Sequence, residues 1–161
     1  MNGEKDIFDR IMSGKLLRPL WPFWEKHREV LVYLFIGALT TLVSWAAKFL
    51  WNFAFYAGTA APTALQNTIL SVVENAAGIA FAYPSNRKWV FRSKNPHILA
   101  EAGSFVGSRL VTMVLGWLTN LLLVNALGVS VYVSTVVTAI LVVVGNYVIS
   151  KLIVFRKKEE D

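Results

Sequence analysis

The chain has 161 residues, with 26 charged side chains, no cysteine and a formal charge of +6. Residues 30–86 hold two charges, Lys48 and Glu74, and residues 103–150 hold one, Arg109. The rest crowd into 1–29, 87–101 and 151–161. Such segregation argues against a soluble enzyme and for a membrane-embedded chain, and the lack of cysteine excludes thiolate chemistry.

In chain order, Ile7, Phe8, Ile11, Met12 and Leu16 recur at helical spacing, with Lys5, Asp9, Arg10 and Lys15 on the other positions. This predicts a short amphipathic helix at the membrane surface. Pro19 and Pro22 are expected to end it, and Trp21, Phe23 and Trp24 beside them to anchor it at the interface. Four apolar segments follow, at about 30–55, 63–89, 103–127 and 131–155. Each exceeds the roughly 20 helical residues that span hydrocarbon. The expected fold is an all-α membrane protein. Residues 1–29 form an interfacial segment, 30–156 a four-helix transmembrane domain and 157–161 a charged tail. Asn95 and Pro96 read as an N-cap and first residue for the third helix.

The two short connections, YAGTAAP and NALGVS, carry no charge. The other flanks carry Lys15, Arg18, Lys26 and Arg28; Arg87, Lys88, Arg92 and Lys94; and Lys151, Arg156, Lys157 and Lys158. By the positive-inside rule both termini and the central loop are cytoplasmic. Basic residues that flank apolar runs suit topology and anionic lipid, and nucleic acid is not expected as a partner.

NRKWVFR at 86–92 resembles SKLIVFR at 150–156, an offset of 64, and FIG at 35–37 resembles FVG at 105–107. The chain therefore reads as two helical hairpins in parallel repeat. Five glycines, at 37, 78, 107, 116 and 145, are expected to let helices approach closely.

The runs YLFIGALTTLVSW, FAYPSNRKWVFRS, FVGSRL and NYVISKLIVFRKK resemble the GtrA-like proteins, four-span membrane proteins of bacterial cell-envelope glycosylation. The resemblance covers about residues 30–156; Lys48 and Pro84 depart from its pattern. It implies translocation of a polyprenyl-phosphate-linked monosaccharide across the cytoplasmic membrane. A membrane glycosyltransferase on the cytoplasmic side would load the lipid. A homodimer is expected, because four short helices offer little room to shield a sugar-phosphate. No catalytic constellation, metal site or cofactor motif is apparent.

A phosphate in hydrocarbon needs cationic or hydrogen-bonding partners. Arg109 is the leading candidate, because guanidinium offers paired donors; the plainer reading is a snorkelling anchor. Arg87, Lys88 and Lys151 are further candidates, with Asn86 and Asn146 beside them; capping helix C-termini and fixing topology is the plainer role for the cations. Lys48 and Glu74 lie at similar depth on neighbouring helices, where an ion pair would offset both insertion costs. The alternative for Glu74 is a carboxylate that couples transport to protons. Two rival functions stay open: a small proton-coupled multidrug or cation exporter, and a non-transporting anchor for a glycosyltransferase.

Overall fold

The computed structural model describes residues 6–14 and 17–156; it leaves out the side chain of Arg18. Lys5, Lys15, Leu16, Lys157, Lys158 and the tail 157–161, all used in the sequence reading, lie outside the described residues. Every regular element among the described residues is helical: α1 (Ile7–Met12), α2 (Trp21–Tyr56), α3 (Ala64–Ser85), α4 (Ile98–Leu121) and α5 (Val131–Ile149). The chain divides into two compact units between Arg92 and Ser93. In the first unit α2 packs on α3, and in the second α4 packs on α5.

Three helical stretches are long and apolar enough to cross a bilayer among the described residues: 21–56, 98–126 and 131–154. α3 has 22 residues, about 33 Å at ~1.5 Å each, but carries Asn67, Ser71, Glu74 and Asn75. Its length suffices for a crossing, and its polarity sets it apart from the other three.

Two boundaries differ from the sequence reading. Pro22 occupies the first turn of α2, where a missing N–H costs nothing, so it helps start the helix instead of interrupting the chain. α2 therefore runs unbroken through residues 29 and 30 for 36 residues, about 54 Å. α4 starts at Ile98, not Pro96: Asn95 Oδ1 accepts from His97 N at 3.0 Å in a local turn one step earlier.

Of the five glycines, Gly78 and Gly116 are the close-approach positions. A Cβ at Gly78 would fall inside contact distance of Ser44 Oγ, and one at Gly116 would lie 2.8 Å from Val142 Cγ2. Gly37 and Gly107 face open space, and a Cβ at Gly145 would make only ordinary contact. The faces these three present simply carry no tight crossing. Gly116→Ala is expected to destabilise the second hairpin by about 1–3 kcal/mol, because the stiff Val142 cannot rotate away. Gly107→Ala should be neutral or stabilising by up to ~1 kcal/mol. Detergent unfolding of the two variants measures the contrast.

Candidate functional site

α3, α4 and α5 each end in a π turn, at Asn86–Val90, Leu122–Ala126 and Ser150–Val154; the turns after α3 and α5 lie 64 residues apart and carry basic residues, whereas the one after α4 carries none and buries no side chain. Phe91 N donates to Asn86 O at 2.9 Å, and Phe155 N to Ser150 O at 2.8 Å. Pro84 is not the cause, since α5 forms the same turn with Val148 at the matching position. The buried valine and phenylalanine of each VF pair are what the wide turn rotates inward: Val90, Phe91, Val154 and Phe155 are all buried. Phe91 packs against Tyr33 with ring centroids 6.5 Å apart, and Phe155 against Phe105 at 5.9 Å. Phe105 thus holds the place in its hairpin that Tyr33 holds in the first, an offset of 72. The FIG and FVG likeness suggested 70, which would pair Phe105 with the exposed Phe35.

In the turns after α3 and α5 the first side chain is buried. Asn86 Nδ2 donates to Ala82 O at 2.7 Å, and its Oδ1 has no partner. Ser150 is fully buried, with an unpartnered Oγ. The next residue is basic in both turns. Arg87 donates to the Tyr83 hydroxyl at 3.3 Å, and Lys151 to the Tyr147 hydroxyl at 3.2 Å. Both tyrosines sit one helical turn earlier and were missed by the sequence reading. A repeat comparison begun four residues upstream aligns them, Tyr83 with Tyr147. Lys88 is exposed, its Nζ 5.3 Å above the Trp89 ring.

Arg109 is half-buried with its guanidinium 4.5 Å from the centre of the Phe105 ring. Phe105 is itself fixed against Phe155, so the guanidinium stands beside the second π turn. A stacked guanidinium keeps its edge donors for an anion. Asn146 Oδ1 accepts from Thr112 Oγ1 at 2.6 Å, joining α5 to α4. A second polar link in this hairpin joins Asn120 Nδ2 to Ser134 Oγ at 2.9 Å, a structural hydrogen bond of the kind expected of an asparagine between helices. In the first hairpin Lys48 Nζ donates to Glu74 Oε2 at 2.8 Å, with both side chains partly exposed.

α1 is held differently from the surface helix expected. Asp6 caps it, accepting from Phe8 N and Asp9 N. Asp9, on one of the polar positions of the amphipathic pattern, is buried. It accepts from Trp24 Nε1 at 3.0 Å, Arg28 Nε at 2.9 Å and Arg92 at 2.6 Å. Asp6 pairs with the same two arginines, and Arg28 also donates to Trp89 O at 3.1 Å. Arg92 reaches this cluster from a left-handed backbone, φ +50°. The contacts link residues up to 86 apart, which no local spacing announces. They also engage Arg92, one of the basic residues of the central flank.

The GtrA/DPMS transmembrane-domain profile matches residues 32–155. The chain belongs to that family. The cell wall teichoic acid glycosylation protein GtcA of Listeria innocua is 31% identical over 152 residues, 90% of this chain and 97% of that protein. The protein of the same name from Listeria monocytogenes is 32% identical over 149 residues, 88% and 94% of the two chains. The uncharacterised membrane protein YwcD of Bacillus subtilis is 28% identical over 137 residues, 81% and 98%. No solved structure matches the chain. As a GtrA-family member it is a membrane protein, and the π turns and their basic residues lie within the matched region.

Burial alone would raise the Asp9 pKa, but hydrogen bonds from Trp24, Arg28 and Arg92 outweigh it and hold the carboxyl below 3.8. A depressed carboxylate stabilises the fold fully above its unfolded value and loses that contribution as pH falls through the folded value. α1 docking should therefore be constant from neutral pH down to about 4 and fail below it. Asp9→Asn should weaken docking at neutral pH and remove the acid step. The readout is Trp24 fluorescence, with Trp24→Phe as the blank.

Proposed function

We propose that this protein translocates a polyprenyl-phosphate-linked monosaccharide across the bacterial cytoplasmic membrane, supplying glycosylation of a cell-envelope polymer. The names of the Listeria relatives support the polymer context, and their alignment extends over nearly the whole chain. The observation that carries the reading is the matched pair of tyrosine–cation contacts, Tyr83–Arg87 and Tyr147–Lys151, each backed by a buried polar side chain at a π turn.

In this reading four helices cross the membrane, with both termini and the loop between α3 and α4 on the cytoplasmic side. α3 crosses despite its polarity because Lys48 neutralises Glu74, its one charge within 64–85. The two hairpins act as a parallel repeat, and each brings a cation to the inner face. The phosphodiester is met there by Arg87 and Lys88, by Lys151, and by the Arg109 guanidinium, whose planar donors suit two phosphate oxygens. Asn86 and Asn146 supply hydrogen bonds along the way. The prenyl tail stays in lipid throughout, so the protein lowers the barrier only for the headgroup. The chain performs no covalent step; a cytoplasmic-side membrane glycosyltransferase makes the substrate.

A homodimer fits the exposed flank of α3. Asn67, Ser71 and Asn75 are spaced by four and share one face, and both asparagines are exposed. Asn75 Nδ2 turns back to Ser71 O at 2.8 Å and Ser71 Oγ to Asn67 O at 2.9 Å, and a second copy of α3 offers self-complementary partners for the amide groups these bonds do not use. An exporter reading is weaker, because its cation-binding carboxylate would be Glu74, already paired to Lys48.

The test is a sidedness assay in liposomes containing a labelled polyprenyl-phosphate-sugar. Arg87→Ala, Lys151→Ala and Arg109→Ala should each slow translocation about tenfold, the equivalent of one lost charge-assisted contact of ~1.4 kcal/mol. Wild-type rates in all three would overturn the site. Glu74→Gln alone should destabilise the hairpin, and Lys48→Met added to it should restore stability and rate. A double variant that folds but loses transport would instead make Glu74 a proton-coupling group. Binding of the glycosyltransferase without any translocation would leave the protein an anchor.

A further inference from the structure

The first unit contains an apolar cavity of about 440 Å³ between α1 and the start of α2. Its lining includes four aromatic rings, Phe8, Phe23, Trp24 and Phe35, with Met12 and Leu31 among the rest. The volume lies within the ~300–1,000 Å³ range of small-molecule pockets. The one polar lining atom of note, Trp24 Nε1, is spent on Asp9, so the rings present carbon to the space. The cavity owes its roof to the ion-pair cluster: Asp6 and Asp9 of the α1 segment hold that helix to Arg28 and Arg92.

Phe8 of the cavity wall is joined through Trp89 to Lys88, a candidate phosphate cation. Lys88 Nζ lies 5.3 Å from the Trp89 ring centre, Trp89 lies 6.2 Å from Phe8, and Phe8 lies 5.6 Å from Phe35. A cation is thus followed by an aromatic bridge and then by an apolar space, the order of parts in a lipid phosphate. We propose that this cavity holds the first isoprene units of a polyprenyl phosphate while Lys88 and Arg87 hold its phosphate. The identity of the lipid rests on the translocation reading; the tail site is a separate claim.

The choice of an isoprenoid over a straight acyl chain follows from shape. An isoprenoid carries a methyl branch and a double bond in every unit, which fill a broad, ring-lined space. A straight chain leaves voids there and forfeits contact energy. Met12 adds a flexible, polarizable wall that accommodates the kinks. The site lets the protein tell its substrate from bulk anionic phospholipid before the headgroup leaves the inner face. In the second unit the candidate cations Lys151 and Arg109 are packed on Tyr147 and Phe105.

The experiment compares two monophosphate lipids that differ in their tails, undecaprenyl phosphate and dioleoyl phosphatidic acid. Each is offered to the full chain in phosphatidylcholine nanodiscs, and retention is read by native mass spectrometry. The undecaprenyl lipid should be retained about tenfold better, the discrimination expected of a few carbons in an apolar pocket. Leu31→Trp, which fills the cavity, should abolish that preference. Equal retention of the two lipids, or a preference that survives Leu31→Trp, overturns the proposal. Should Leu31→Trp not fold, a photoreactive benzoylphenylalanine at Phe23 decides. Cross-links to the undecaprenyl lipid in excess of phosphatidate support the site, and equal labelling or cross-linking to a second copy of the chain rejects it. A retained preference with no movement of a labelled lipid-linked sugar overturns the translocation reading and keeps the tail site. Movement without preference does the reverse.

Discussion

Hydrocarbon offers no partner to a stray polar group, so each polar side chain in an apolar helix must find one nearby. That constraint organises both hairpins. Lys48 meets Glu74 across α2 and α3, and Thr112 meets Asn146 and Asn120 meets Ser134 across α4 and α5. Hydroxyls without such a partner turn back on their own helix, as Thr40 does to Ile36 O and Thr119 to Leu115 O. These pairings leave the outward faces almost wholly apolar, and the α3 flank with Asn67 and Asn75 stands out against them.

At the C-terminal ends of α3 and α5 the constraint is relaxed, as it is at Trp51, Asn52 and Thr138. The π turns bury Asn86 and Ser150 with acceptor atoms unpaired, and the following cation leans on a tyrosine hydroxyl. α4 ends in a π turn as well, at Leu122–Ala126, without a basic or buried side chain, so it is the residues of the other two turns that set those ends apart. There the turn brings a VF pair inward as packing and leaves the neighbouring cation at the end of the helix. Buried packing and a cation thus occupy neighbouring positions of one short motif. The first unit adds a strap, α1, that the second unit has no equivalent of among the described residues. Its carboxylates engage Arg28 and Arg92 in ion pairs that hold α1 against the first unit.

Much of this was legible in the sequence, for physical reasons. Three charge islands separated by apolar runs forced the helical membrane reading, and the NRKWVFR run carried the family resemblance that the match over 32–155 establishes. Lys48 and Glu74 were conspicuous because a lone charge in such a run is expensive. The tyrosines were not, because an aromatic near a helix end usually signals the interface. Asp9 looked like an ordinary polar position on an amphipathic turn, and its role depends on Arg92, 83 residues away. The boundary at Val30 followed hydropathy, whereas the helix follows hydrogen bonding and so begins at Trp21.

The account depends on a headgroup crossing with the help of paired and cationic groups inside greasy helices. The most direct measurement uses one vesicle population reconstituted with the wild-type chain and two labelled lipids, a polyprenyl-phosphate-sugar and an ordinary phospholipid. The labelled sugar should equilibrate across the bilayer while the phospholipid stays on its original side. If both lipids stay put, or both move at the same rate, the central claim is contradicted.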